Sequence, residues 1–188
     1  MAQRMNKRMN HEPALRGNGP GKSERRELYS TKQVAEILGL PEWRVKNFSE
    51  GAAYRLPPAL QVGTGRGSRR LYGWVDTFRL GIANQLVEFG FTPESVGEAV
   101  REVPESTFAP YRAHLEAHEP ETGGKLKSKE TPLLVKLGGA WRVVMADKIE
   151  SEWSKTIAHG GSSRALFALN VANACDSIFA ALYRYWTA

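Results

Sequence analysis

Four neighbouring side chains, Trp43, Arg44, Lys46 and Asn47, bring an indole, a guanidinium, an ammonium and a carboxamide together, and Arg66, Arg69, Arg70 and Tyr72 follow in a second group. This set suits recognition better than bond breaking. Arginine and lysine neutralise phosphates, and the asparagine amide offers a donor and an acceptor to a base edge. In the second group the arginines stand among Gly63, Gly65 and Gly67, which let the backbone come close to a phosphate chain. A glycine-rich loop can also cradle a nucleotide, but no Gly-Lys-Ser/Thr ending follows this one. His114 and His118 lie four apart with Glu116 between them, a spacing open to a metal. No third ligand is apparent, and two exposed histidines are the plainer reading. No nucleophile–base pair or paired carboxylates emerge, so neither catalysis, a metal nor a cofactor is expected.

The elements that must hold the first group start at Thr31, a suitable N-cap for a helix in which Val34, Ile37 and Leu38 recur at helical spacing. Gly39 ends that helix, Leu40 plugs the angle, and Pro41 suits the first turn of the next, which carries Trp43 to Phe48. Val45 and Phe48 form its inward face. The order is that of a helix-turn-helix, whose second helix reaches the major groove. After Leu56-Pro57-Pro58, extended pieces about Leu60–Val62 and Arg69–Tyr72 flank the glycine-rich tip as a wing. Val75, Phe78, Ile82, Leu86 and Phe89 then recur at spacings of three and four, which predicts an amphipathic helix closing the small core. Gly90 breaks it. Thr92 caps a following helix with Val96, Val100 and Val103 inward.

Charge agrees with a polyanionic partner. The chain of 188 residues has a formal charge of +6. Its first 27 residues carry seven Lys/Arg against three acids, and read as a disordered basic tail. In the next stretch Arg44, Lys46, Arg55, Arg66, Arg69, Arg70 and Arg79 gather with only Glu50 and Asp76 among them. One cysteine, Cys175, excludes an intramolecular disulfide and a multi-cysteine zinc site. No signal-like leader or membrane-length apolar run is seen, so a soluble, cytoplasmic protein without membrane contact is expected.

With these blocks in place, residues 29–103 resemble the DNA-binding domain of the MerR family of transcription regulators. The resemblance rests on the helix-turn-helix with Leu56-Pro57-Pro58, on Arg70-Leu71-Tyr72 with Asp76 behind it, and on Phe89-Gly90-Phe91-Thr92 leading into Glu94 and Val96. It implies a winged helix-turn-helix bound to double-stranded DNA as a homodimer, with Trp43, Arg44, Lys46, Asn47, Arg66, Arg69, Arg70 and Tyr72 as DNA-binding residues. In the family a long helix follows and pairs with a second copy. Here Pro104 and Pro110 interrupt that continuation.

Residues 104–131 read as a linker. Beyond it, Leu133–Leu137 and Ala140–Met145 predict a hairpin across Gly138-Gly139. Asp147 is expected to cap a helix with Ile149, Trp153 and Ile157 on one stripe. A last helix is expected from Ser162 or Ser163, with Phe167, Val171, Ala174, Ile178, Ala181 and Tyr185 on one stripe, and Ala168, Ala172, Cys175, Phe179, Leu182 and Trp186 on a second. So wide an apolar face must be mostly buried, in a small α+β core or partly in a subunit interface. Trp141, Trp153, Tyr183 and Trp186 are either core or the lining of a small-molecule effector pocket.

The expected fold class is mainly α with small β elements: a disordered tail at 1–27, a winged helix-turn-helix domain at 28–103, the linker, and an α+β domain at 132–188 for dimerisation, effector binding or a protein partner. The expected function is a sequence-specific transcription regulator. The alternatives are an excisionase-like architectural protein and a protein-interaction module targeted to DNA.

Overall fold

A computed structural model describes residues 28–63, 68–112, 131–159 and 167–187. Strand β1 (Tyr29–Ser30) leads directly into α1 (Thr31–Leu38). The cap of α1 is Ser30 rather than Thr31. Ser30 Oγ accepts from Gln33 N at 3.3 Å while Gln33 Oε1 accepts from Ser30 N at 2.8 Å. This reciprocal box needs a glutamine three residues past the cap, and only Ser30 has one there. Gly39 closes the helix at φ 65°, and Leu40 N reaches back to Ala35 O at 2.8 Å. Helix α2 (Glu42–Glu50) then buries Val45 and Phe48, with Pro41 just ahead of it.

Strands β2 (Leu60–Val62) and β3 (Arg69–Tyr72) pair antiparallel, Val62 opposite Arg69, and β1 takes the other edge of β3. Helices α3 (Trp74–Glu88) and α4 (Pro93–Glu102) follow, and Thr92 caps α4 as expected. Phe89 departs from its expected inward place. It lies past the last turn of α3, 62% exposed, with its ring edge against Phe167. Helix α3 is also less one-sided than its amphipathic spacing suggests, for Leu80, Gly81 and Ala83 are buried along with Phe78, Ile82 and Leu86.

That second buried side is covered by the last helix, α6 (Val171–Thr187), which packs on α3 and α1. Gly81 permits the approach: a Cβ there would lie 2.7 Å from Ile178 Cγ1. The last helix starts later than Ser162 or Ser163, which fall outside the described residues. Phe167–Asn170 instead form strand β6 on the free edge of β4 (Pro132–Leu137), whose other edge pairs with β5 (Ala140–Met145). Unpaired edge groups in β4 outweigh the helical spacing of Phe167 and Ala168. Asn170 then caps α6, its Oδ1 accepting from Asn173 N at 3.0 Å. The β4–β5 turn uses Gly138 and Gly139, both at positive φ, as a two-residue hairpin requires.

Asp147 does not cap a helix. It lies within a 3-10 turn (Ala146–Lys148), and α5 (Ile149–Ala158) follows without a side-chain cap. Ile149 and Trp153 pack on Val135, Leu137 and Val144, whereas Ile157 is exposed.

Residues 104–112, read from sequence as the start of a linker, fold back into the core. Phe108 stacks on Phe78 at 5.5 Å, and the Tyr111 hydroxyl donates to Asp176 Oδ1 at 2.9 Å. One cluster of buried side chains joins Tyr29, Phe48, Phe78, Val100 and Phe108 to Leu134, Trp141, Val171 and Leu182. Between its halves, Ser95 Oγ accepts from Lys136 Nζ at 2.8 Å and from Trp141 Nε1 at 2.9 Å, and Trp186 Nε1 donates to the Tyr29 hydroxyl at 2.7 Å. Among the described residues the fold is thus mainly α with two small antiparallel sheets. Among the described residues no helix is long and apolar enough to cross a membrane.

Candidate nucleic-acid interface

On α2, burying Val45 and Phe48 leaves the opposite side of the helix to solvent. Trp43, Lys46 and Asn47 stand there at i, i+3 and i+4, so their side chains are neighbours on one face. All three are exposed, Trp43 at 61%. Lys46 is 3.9 Å from Glu42, a solvated pair that leaves the ammonium free to exchange partners. Arg44 belongs elsewhere. It is half-buried, donates from Nη1 to Asn84 Oδ1 at 2.9 Å and lies over the Trp43 ring at 5.6 Å. Asn84 in turn donates to Glu88 at 2.8 Å. The Arg44 guanidinium, expected to reach base edges or phosphates, ties α2 to α3 and lies against Trp43.

Strand alternation divides the second group. Arg70 and Tyr72 share the face of β3 turned towards α2, while Arg69 is on the other face. Arg70 Nη1 is 2.6 Å from Glu50 Oε1, and the Tyr72 hydroxyl is 2.8 Å from Ser49 Oγ. Tyr72 is 0% exposed, so its expected DNA contact is corrected: its ring is buried and its hydroxyl is joined to α2, beneath the surface that a duplex could touch. Arg70 is likewise spent on Glu50. Arg69 is exposed and pairs with no acid among the described residues. Arg66 lies outside the described residues, as do the basic tail, His114 and His118.

Asp76 anchors the hairpin from behind. Its Oδ2 accepts from Gly73 N at 2.8 Å and from Ala59 N at 3.0 Å, so one carboxylate fixes both the start of α3 and the approach to β2. Burial pushes its pKa up, and the two backbone N–H groups partly oppose that. The exposed part of this region is therefore Trp43, Lys46 and Asn47 on α2, Arg69 on β3, and Gln61 with the apolar Leu60 and Val62 on β2. Ser49, Glu50, Asn84 and Asp76 are the positioning residues beneath. The sequence alone assigns the first three no positioning role, since those roles rest on partners 20 to 40 residues away. Leu60 and Val62 read as ordinary strand residues.

The aromatic residues read as either core or the lining of an effector pocket are spread out. Trp141 is buried against Ser95, Phe91 and Phe167; Trp153 packs in the small α5 cluster; Tyr183 stacks on Phe179; and Trp186 reaches Tyr29. They act as core in separate places, not as one lining. Cys175 is buried, and burial holds its thiol pKa far above the ordinary range, so it is a packing residue rather than a nucleophile.

Compared with known proteins, the chain matches no family model and no curated protein.

Proposed function

We propose that this protein is a sequence-specific binder of double-stranded DNA that acts as a transcription regulator through a MerR-like winged helix-turn-helix. In this reading α1 and α2 form the helix-turn-helix, α2 is the recognition helix and the β2–β3 hairpin is the wing. One observation carries the reading: α2 buries Val45 and Phe48 and holds Trp43, Lys46 and Asn47 exposed on its outer face. A helix that spends a large aromatic, a cation and an amide on solvent has the chemistry of a major-groove reader. Asn47 reads a base edge, Lys46 grips phosphate, Trp43 packs on the sugar-phosphate wall, and Arg69 with Arg66 contacts the flanking backbone. Arg44, Arg70 and Tyr72 keep these in register from below.

A second reading, an architectural protein that bends DNA in tandem arrays, has one feature in its favour. Helix α4 ends at Glu102, and Pro104 begins a 3-10 turn that folds back on Phe78, so no long pairing helix leaves that point. The apolar stripes of α6 are covered within the chain by α1, α3 and β4. A homodimer would therefore use another surface.

Selection of bound sites from a random duplex pool with the full chain separates the readings. Inverted half-sites at a fixed spacing support the dimeric regulator, direct repeats support the architectural protein, and a pool without enrichment contradicts both.

A further inference from the structure

Next to β3, the chain that follows α2 meets α3 and α4 around a cavity of about 330 Å³. Arg55, Arg79 and Arg101 line it with Asp76 as the sole acid among the described residues, and Leu56 and Val100 give it apolar wall. The charges do not cancel. Asp76 Oδ2 is already taken by two backbone N–H groups, and Arg101 spends Nη1 on Tyr54 O at 3.2 Å. Arg79 Nε is shielded from solvent with no hydrogen-bond partner among the described residues. A buried guanidinium N–H left unpaired is costly, and such a group calls for an acceptor. Arg55 adds a second sign: it holds φ at 53°, the only non-glycine residue among those described to take a positive φ. Strain of this kind collects at ligand sites.

We propose that this cavity binds a small organic acid, a carboxylate on a flat apolar body, with Arg79 and Arg101 holding the carboxylate and Leu56 and Val100 covering the body. The volume is at the lower end of ligand pockets, which suits a one- or two-ring molecule. A DNA phosphate fits the cations but not the apolar wall, which a deoxyribose-phosphate chain would leave uncovered. Tyr72 also lines the cavity, and its hydroxyl meets Ser49 on α2, so an occupant sits one side chain away from the exposed helix. Binding itself does not depend on the DNA reading.

The test is a titration of the ¹⁵N-labelled full chain, without DNA, with benzoate and 1-naphthoate and with the neutral 1-naphthamide, followed by amide shifts. Saturable shifts are expected at Arg55, Leu56, Arg79 and Arg101, with the amide at least about tenfold weaker than the acid. Arg79→Gln should weaken 1-naphthoate by at least about tenfold while the rest of the spectrum is kept. Arg101→Gln, at an exposed position on α4, gives the same reading should Arg79→Gln disturb the fold. No saturable shift with either acid, equal binding of acid and amide, or full binding by a folded Arg79→Gln or Arg101→Gln variant would overturn the proposal.

Discussion

The Tyr72 hydroxyl lies 2.8 Å from Ser49 Oγ, and two residues back on the same face of β3 Arg70 makes a second tie, to Glu50 at 2.6 Å. The hairpin and α2 are thereby one unit. Tyr72→Phe keeps the buried ring and removes only the hydroxyl contact. It should cost about 0.5–1.5 kcal/mol in urea unfolding and leave the salt dependence of DNA binding unchanged, because Tyr72 offers nothing to phosphate. A reduced salt slope would return Tyr72 to the interface.

Ser95 holds the two sheets' regions together through Trp141 and Lys136. Ser95→Ala leaves the Trp141 N–H buried without an acceptor, at an expected cost of about 1–3 kcal/mol. Since one core runs across both regions, unfolding should be a single transition that shifts as a whole. Two separate transitions, with only one moved, would show that the regions fold independently.

Gly97 lets α4 lie directly on the backbone at residues 53–54. A Cβ there would come 2.9 Å from the Tyr54 carbonyl carbon and 3.1 Å from Ala53 O. Neither neighbour is a flexible side-chain end, so the strain cannot be relieved cheaply. Gly97→Ala should destabilise by about 1–3 kcal/mol despite alanine's better helix propensity, as read from thermal melts. A neutral or stabilised variant would mean that α4 sits farther from that loop.

Asp76 supplies a pH signature. Burial raises its folded pKa above the ordinary value of 3.8, so ionisation is penalised in the folded state. The stability tied to this group is present below that ordinary value and is lost as pH rises through the raised folded one. Asp76→Asn keeps an acceptor for Gly73 N and Ala59 N but does not titrate. Urea melts over this range should find the wild type losing ground to the variant as pH rises, and parallel curves would contradict the shift.

Local signals carried the helices and the hairpins well. Gly39, Thr92 and Gly138-Gly139 act through their own backbone angles and near neighbours, and the structure has them as turn and caps. What the sequence hid was long-range. Phe167 and Ala168 continue the helical spacing of α6, yet the open edge of β4 draws them into a strand. Phe108 and Tyr111 stood among prolines and read as linker, while Phe78 and Asp176 give them partners from distant parts of the chain. Among the candidate site residues, Trp43, Lys46 and Asn47 were legible because helical spacing sets them opposite Val45 and Phe48. Arg44, Arg70 and Tyr72 were not, since Asn84, Glu50 and Ser49 claim them only once the elements are packed.

The most direct measurement is the salt dependence of duplex binding by the full chain and by Lys46→Ala/Arg69→Ala, read by fluorescence anisotropy on a selected site. Both residues are exposed, so the fold should be kept. The expected result is weaker binding with a log–log salt slope shallower by about 2, since each phosphate contact contributes about 0.9. An unchanged affinity and slope in a folded variant would contradict DNA binding through α2 and the hairpin.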